Sequence, residues 1–249
     1  KHVPIVEYNP FEAIKTNVLG SQNVIDACLN QNVKIAVGVS TDKAVSPLNT
    51  YGATKLLMEK LFITASNYLD KSKYSTKFIS LRYGNVLGSS GSVIPKFINQ
   101  IKNKEKITIT DPSMTRFSIT MDEALDFILD STINGETSEV FIPKLRSYSI
   151  IDIKQALVEL LGDTGEEKIP VRPGEKLHET LINLDEMDST WESDLKYIIS
   201  PTNYLTSEEI KIKYANFKKS DFQHPYSSDH VAKIPVNELK QIITTSNLI

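Results

Sequence analysis

Residues 34–40 read KIAVGVS, an apolar run of strand length in which hydrophobic and polar positions do not alternate. Such a strand is covered on both faces, and sheets covered on both faces are predominantly parallel. Parallel strands need long crossovers, usually helical, and the flanking sequence supplies them. Asn9 and Pro10 have the character of an N-cap and a first helical residue, and Phe11, Ile14, Val18, Ile25 and Leu29 then recur at near-helical spacing. A second helical pattern runs over 51–68, a second strand over 76–82 (TKFISLR), and a helix starts near Val93. KITIT at 106–110 alternates like a strand, 121–131 is helical, and a short strand over 139–142 is ended by Pro143. This alternation predicts an α/β fold, a doubly wound, mainly parallel sheet.

Beyond about residue 146 the elements shorten and the alternation breaks, which predicts a smaller C-terminal domain over the sheet. The expected division is 1–91 with 114–144 for the sheet domain, and 92–113 with 145–249 for the second. The 249 residues are enough for that core. A formal net charge of −3 argues against a nucleic-acid partner, while a few placed Arg or Lys still suffice to hold a phosphate. The single cysteine, Cys28, excludes an internal disulfide and reads as a structural thiol. His2, His178, His224 and His230 form no metal-binding pattern, so no metal is expected. No apolar run approaches the length of a membrane helix, and the opening Lys1 reads as the start of a piece cut from a longer protein.

The chemistry concentrates in STDKA at 40–44, just past the C-terminal end of a predicted strand, and in YGATK at 51–55, which opens a helix. Ligands of open α/β sheets bind at that edge. Tyr51 and Lys55 share a helix face one turn apart. A phenol is a poor base at neutral pH, and a nearby ammonium favours the phenolate; Lys55 also has the reach for a cofactor ribose hydroxyl, and Thr41 for the same substrate oxygen as Tyr51. A second Tyr-x-x-x-Lys match, Tyr214 and Lys218, follows no strand–loop unit and reads as a solvated face. YGNVLGSSG at 83–91 has three glycines between strand and helix, but spaced G-x-x-x-G-x-x-G and without the acidic residue that a dinucleotide fingerprint requires. It is not the pyrophosphate loop.

Together, STDKA, YGATK, RYGNV, MTRF and RPGEKLHE resemble, in this order, the inverting UDP-N-acetylglucosamine 4,6-dehydratases of the extended short-chain dehydrogenases, and the resemblance runs from KHVP at the start to YSS at 226–228. It implies a Rossmann-like domain whose N-terminal strands, roughly 90 residues with the Gly-rich loop, lie before Lys1. It implies NADP, with NAD as the alternative, a UDP-sugar substrate, a homo-oligomer and a cytoplasmic location. Thr41, Tyr51 and Lys55 resemble the catalytic set, and Asp42 and Lys43 the acid–base pair specific to inverting dehydratases. Asn17 resembles a supporting active-site asparagine. Val86, Leu87, Gly88, Ser89 and Ser90 resemble the loop against the nicotinamide. Asn85, Val93, Thr110 and Arg116 resemble substrate contacts, and Arg172 with Glu175 a uridine and diphosphate clamp. Lys1 and Glu7 border the substrate in the same comparison.

The implied reaction has Tyr51 take the C4 hydroxyl proton as hydride leaves C4. Lys43 then removes the C5 proton, Asp42 assists loss of the C6 hydroxyl as water, and hydride returns to C6 with the C5 proton delivered to the opposite face. A neutral Lys43 would need its pKa lowered by about 3 units, some ~4 kcal/mol. Singly, each residue also has a plainer reading: Asp42 as a loop cap, Lys43 and Arg116 as surface charges, 172–174 as a turn. Two other functions remain open: a nucleotide-sugar 4-epimerase, which needs no base at C5, and an inactive or binding-only fragment.

Overall fold

The computed structural model describes residues 2–66, 73–201 and 206–249. Pro10 does head a helix, but its path is less regular than the spacing predicts. Helix α1 (Val3–Tyr8) precedes it, and α2 (Pro10–Ala13) widens into a π-helical stretch, Ile14–Leu19, before tightening into α3 (Gly20–Asn30). The chain continues through β1 (Ile35–Val39), a 3₁₀ turn at Asp42–Ala44, α4 (Thr50–Ala65), β2 (Lys77–Leu81), β3 (Asn85–Val86), α5 (Val93–Lys102), β4 (Ile107–Ile109) and β5 (Thr115–Ile119). Then come α6 (Met121–Asn134), β6 (Val140–Pro143), β7 (Arg146–Ser149), α7 (Ile150–Leu161), β8 (Glu166–Lys168), β9 (Thr180–Ile182) and α8 (Leu184–Met187). The last elements are β10 (Thr190–Glu192), β11 (Lys196–Ile199), α9 (Ser207–Lys213), β12 (Lys218–Lys219), β13 (Tyr226–Ser227) and α10 (Val236–Thr245). The expected end of α4 at 67–68 lies outside the described residues.

One compact unit comprises residues 1–83, 125–144 and 180–226. Its sheet has the order β1-β2-β6-β11-β10-β12. β1 and β2 run parallel from Ile35↔Lys77 to Val39↔Leu81, and β6 joins β2 in parallel. β2 alternates between two cores. Phe78 packs with Ala36 beneath α3 and α4, among Ile25, Leu29, Met58 and Phe62. Ile79 and Leu81 face the other way, against Phe127, Phe141, Ile198 and Tyr214. Each fully buried side chain of this size is worth about 1.5–3 kcal/mol in removed apolar surface. Helices on both faces make the sheet doubly wound, as expected. It is not parallel throughout: β11 pairs antiparallel with β6, β10 with β11 and β12 with β10.

The second unit comprises residues 84–124, 145–179 and 227–249. Two small sheets, β3-β5-β7 and β4-β8, accompany a core drawn from α5, α7 and α10. α5 is strongly amphipathic, burying Ile94, Phe97, Ile98 and Ile101. These units differ from the expected division. Residues 84–91 and 114–124 fall in the second unit because β3 and β5 pair with each other and β5 with β7. Residues 180–226 fall in the first because β11, β10 and β12 extend its sheet from β6.

Candidate active site

β1 ends at Val39, and the next residue, the buried Ser40, donates its N–H to the Leu81 carbonyl at 2.6 Å. Thr41 is extended and caps the 3₁₀ turn. Its hydroxyl donates to Asp42 Oδ1 at 2.8 Å and accepts the Lys43 N–H at 3.4 Å, while Lys43 Nζ lies 3.1 Å from the same Asp42 oxygen. Asp42 is fully buried, and its Oδ2 has no hydrogen-bond partner. An unsatisfied buried carboxylate oxygen is costly and points to a role in a functional site.

α4 starts where its first amides are satisfied. Asn49 accepts the Gly52 N–H at 2.8 Å, and Glu7, expected near the substrate, accepts the Thr50 N–H at 2.8 Å. That places an anion at the positive end of the helix. Gly52 is required by close approach: a Cβ there would lie 2.1 Å from the Lys43 carbonyl oxygen and 2.9 Å from Pro47 Cβ. Gly52→Ala in the full-length protein is expected to push the 42–44 turn away from Tyr51 and lower kcat by about a hundredfold, with far-UV circular dichroism unchanged. Wild-type kcat in this variant would show that the turn and helix need not touch.

The electrostatics of Tyr51 differ from expectation. Burial pushes the phenol above its ordinary range. The cation that opposes this is Lys43, not Lys55; Asp42 and Tyr83 raise the value further, and a hydrogen bond with the Thr41 hydroxyl lowers it. Lys55 turns to the Val39 carbonyl at 2.5 Å and to Met58 Sδ at 3.0 Å. Burial lowers the Lys55 pKa, with Glu59 opposing. The Lys43 ammonium meets the Asp42 anion. Asn17 sits in the π-helical stretch, a feature frequent at functional sites. Its amide donates to the Thr54 hydroxyl at 3.0 Å, which in turn donates to the Tyr51 carbonyl at 3.0 Å. Thr41, Asp42, Lys43, Tyr51, Lys55 and Asn17 are thus all held in the first unit. The sequence reading missed Tyr83 and the buried Glu59; the latter's signal is its place at i+4 from Lys55.

The second unit holds the other expected contacts. Asn85 pairs with Ser118 through β3 and β5, and its buried Oδ1 has no hydrogen-bond partner. Over 86–90, Leu87 N–H donates to the Ile119 carbonyl at 2.9 Å, and Gly88 takes a left-handed φ of 71°. Ser89 and Ser90 follow on the path to Val93, the first residue of α5. The Thr110 hydroxyl is 3.3 Å from Met114 Sδ. Arg116 is not a surface charge: its buried guanidinium donates to the Thr115 and Leu177 carbonyls and pairs with Glu175 at 3.4 Å and Glu179 at 3.8 Å. Glu175 therefore faces Arg116, while its backbone closes a turn onto the exposed Arg172. Lys96 on α5, missed in the sequence, is lowered by burial and by Arg172, with Glu175 opposing. Lys1 lies outside the described residues.

The second Tyr-x-x-x-Lys match is not a solvated face. Tyr214 is buried, donates to Glu139 at 2.6 Å and stacks on Trp191, so its phenol is held far above its ordinary range, whereas Lys218 is exposed on β12. Cys28 packs partly buried against the core under α3 and α4. Among the described residues no group of three or more His, Cys, Asp or Glu is arranged to hold a metal ion, and no helix is long and apolar enough to cross a membrane.

A Tyr–Lys helix beside a Thr-Asp-Lys turn at the C-terminal edge of a doubly wound sheet invites comparison with known proteins. Residues 1–201 match the family described as polysaccharide biosynthesis protein. The chain belongs to that family. An inverting UDP-N-acetylglucosamine 4,6-dehydratase of Campylobacter jejuni is 45% identical over 210 residues, covering 84% of this chain and 61% of that protein. The chain thus spans about three-fifths of the length of that dehydratase relative. A UDP-glucose 4-epimerase of Rickettsia rickettsii is 37% identical, covering 98% of this chain and 71% of the epimerase. The X-ray structure of Pen from Bacillus thuringiensis superposes with a TM-score of 0.88 at 39% identity, covering 100% of this chain and 73% of that one.

Proposed function

We propose that the full-length protein is a nucleotide-sugar 4,6-dehydratase that inverts C5, acting on UDP-N-acetylglucosamine for surface polysaccharide or glycan synthesis. The observation that carries this reading is the Asp42–Lys43 pair. An ammonium and a fully buried carboxylate, 3.1 Å apart, adjoin the hydroxyl of Thr41 and act electrostatically on Tyr51. C4 chemistry alone needs Tyr51, Lys55 and Thr41. A second acid–base pair beside them is what removal of the C5 proton and loss of the C6 hydroxyl call for. The similarity to the Campylobacter dehydratase supports the same choice.

The residues present fit a nicotinamide dinucleotide, NADP with NAD as the alternative. In the first unit Lys55 holds its ammonium at the end of β1, a donor suited to a ribose hydroxyl; within the second unit the left-handed Gly88 turns the 86–90 loop that resembles the nicotinamide loop. When bound, the cofactor accepts hydride from the sugar and later returns it. Tyr51, oriented by Thr41, takes the C4 hydroxyl proton and releases it to solvent, since the product keeps its C4 ketone. A proton passed from the Lys43 ammonium to the Asp42 carboxylate across their 3.1 Å contact readies both: the Lys43 amine takes the C5 proton, the Asp42 carboxyl gives its proton to the departing C6 hydroxyl, and the pair ends as the ammonium and carboxylate from which it began. In the second unit Arg172 and Lys96 supply positive charge for a diphosphate, and Arg116, braced by Glu175 and Glu179, shapes the sugar-nucleotide wall. The reading carries with it a homo-oligomer in the cytoplasm; exposed Ile5, Tyr8, Phe11 and Leu57 support self-association.

Incubating the full-length protein with UDP-N-acetylglucosamine in deuterated water tests the reaction. The expected product is a 4-keto-6-deoxy sugar carrying deuterium at an inverted C5, read by NMR. A 6-hydroxy sugar without label would replace this reading with the 4-epimerase, which the Rickettsia relative favours.

A further inference from the structure

Arg82 directly follows β2 and is 1% exposed, yet its guanidinium uses all five N–H donors inside the first unit. Nε donates to Glu59 Oε2 at 2.8 Å and Nη2 to Glu59 Oε1 at 2.5 Å. Nη1 donates to the Leu181 carbonyl at 3.0 Å, and Nη1 and Nη2 together grip Glu186 at 2.8 and 2.7 Å. Glu186 is already fixed by a capping box with Asn183 at the start of α8. Glu59, 0% exposed, stands at i+8 from Tyr51 and i+4 from Lys55 on α4, and Ser40, the residue before Thr41, donates its N–H to the carbonyl of Leu81, the residue before Arg82. The residue after Arg82 is Tyr83, whose carbonyl accepts the Asp42 N–H.

One guanidinium therefore ties together the helix carrying Tyr51 and Lys55, the strand end leading to the Asp42 contact, and the start of the Thr-Asp-Lys turn. A hydrophobic contact would let α4 slide or rotate slightly; a bidentate fork fixes both. We propose that Glu59 and Arg82 are positioning residues that set the Tyr51–Lys55 pair against the Thr41–Lys43 turn. The inference rests on the reading of Tyr51 and Lys55 as the acid–base pair. Glu59 also bears on Lys55 electrostatically. From β1, Lys55 meets the Val39 carbonyl, and on its own helix the Met58 thioether and the Glu59 charge; Glu59 is itself faced by Arg82, just past β2, and by Lys60 on α4. Removing the Glu59 charge lets the Lys55 ammonium lose its proton at lower pH.

The test uses the full-length enzyme with UDP-N-acetylglucosamine. In Glu59→Gln, kcat per folded molecule is expected to fall about tenfold or more with KM changed less than about twofold, and the alkaline limb of the pH profile to move to lower pH. The double variant Glu59→Met with Arg82→Met removes both members of the fully buried pair and leaves Glu186, part-exposed and held by its capping box with Asn183, so the fold is expected to persist while kcat stays low. Wild-type kcat on a wild-type melting midpoint in the double variant would reduce the pair to a structural one and overturn the inference. An unmoved alkaline limb together with wild-type kcat in Glu59→Gln would do the same. If both variants lose the fold, Glu59→Asp decides, because it keeps the charge but draws the carboxylate back by one methylene: lowered kcat supports the inference and wild-type kcat removes it. Tyr51→Phe separates the two levels. An active Tyr51→Phe removes the reading of the site itself, whereas an inactive one beside fully active pair variants removes only this inference.

Discussion

Tyr51→Phe in the full-length protein is expected to lower kcat by about 10³-fold or more while the melting midpoint stays close to wild type. The substitution removes one oxygen and keeps the ring that fills the space at the start of α4, so the fold is barely taxed. The Tyr51 hydroxyl lies in the field of Lys43 and Asp42, with the Thr41 hydroxyl favouring its ionised form; a phenyl ring cannot accept the C4 hydroxyl proton. The pH dependence follows from the direction of its shift. Burial raises the folded-state pKa, so the phenolate is rarer at neutral pH than for a free phenol. The rate of C4 oxidation in the wild type is therefore expected to climb with pH across the neutral range. For stability the sign is opposite: the neutral buried phenol is tolerated up to its ordinary pKa, and stability declines as pH rises beyond it towards the raised value. Stopped-flow absorbance and thermal melts across pH measure the two. Retention of most activity by Tyr51→Phe would remove Tyr51 from the chemistry.

The parallel strands β1, β2 and β6 were legible because each is a short apolar run of strand length bounded by polar residues or Pro, and the helices between them carry apolar stripes. The antiparallel extension β11-β10-β12 was not legible. Its strands have two to four residues, too few for alternation to register, and their pairing is decided by the sheet edge that β6 offers. The π-helical stretch at Ile14–Leu19 has no signature beyond a blurred spacing. In the candidate site, the residues of STDKA and YGATK read correctly as neighbours because a strand end and a helix start bring them together. Their electrostatics did not: Lys55 was the obvious cation for Tyr51, but the helix turns it to the Val39 carbonyl and leaves Lys43 to act. Buried charges are the hardest case. Arg82, Glu59 and Arg116 look like surface residues by type, and only the fold supplies the partners that pay for their burial.

Lys43→Ala is expected to separate dehydratase from epimerase by the step at which the reaction stops. Only a dehydratase breaks the bond between C5 and its hydrogen. Without the Lys43 amine, solvent exchange at C5 and loss of water from C6 should fall by about 10²–10⁴-fold, the range for a lost acid–base group. Tyr51, Thr41 and Lys55 remain, so C4 oxidation continues and reduced nicotinamide builds up, read as absorbance near ~340 nm. That first step should itself need higher pH, because Lys43 is the cation that lowers the Tyr51 pKa and its loss lets burial and Asp42 act unopposed. Asp42→Asn reverses that sign: removing the charge that raises Tyr51 moves the same limb to lower pH. An epimerase would behave otherwise, since its C4 proton and hydride steps need nothing at C5. Lys43→Ala would then interconvert C4 epimers at a near-normal rate, with no build-up of reduced cofactor and no deuterium at C5. Near-normal interconversion would overturn the dehydratase proposal while leaving the Tyr51–Lys55 assignment in place, because both reactions begin with oxidation at C4.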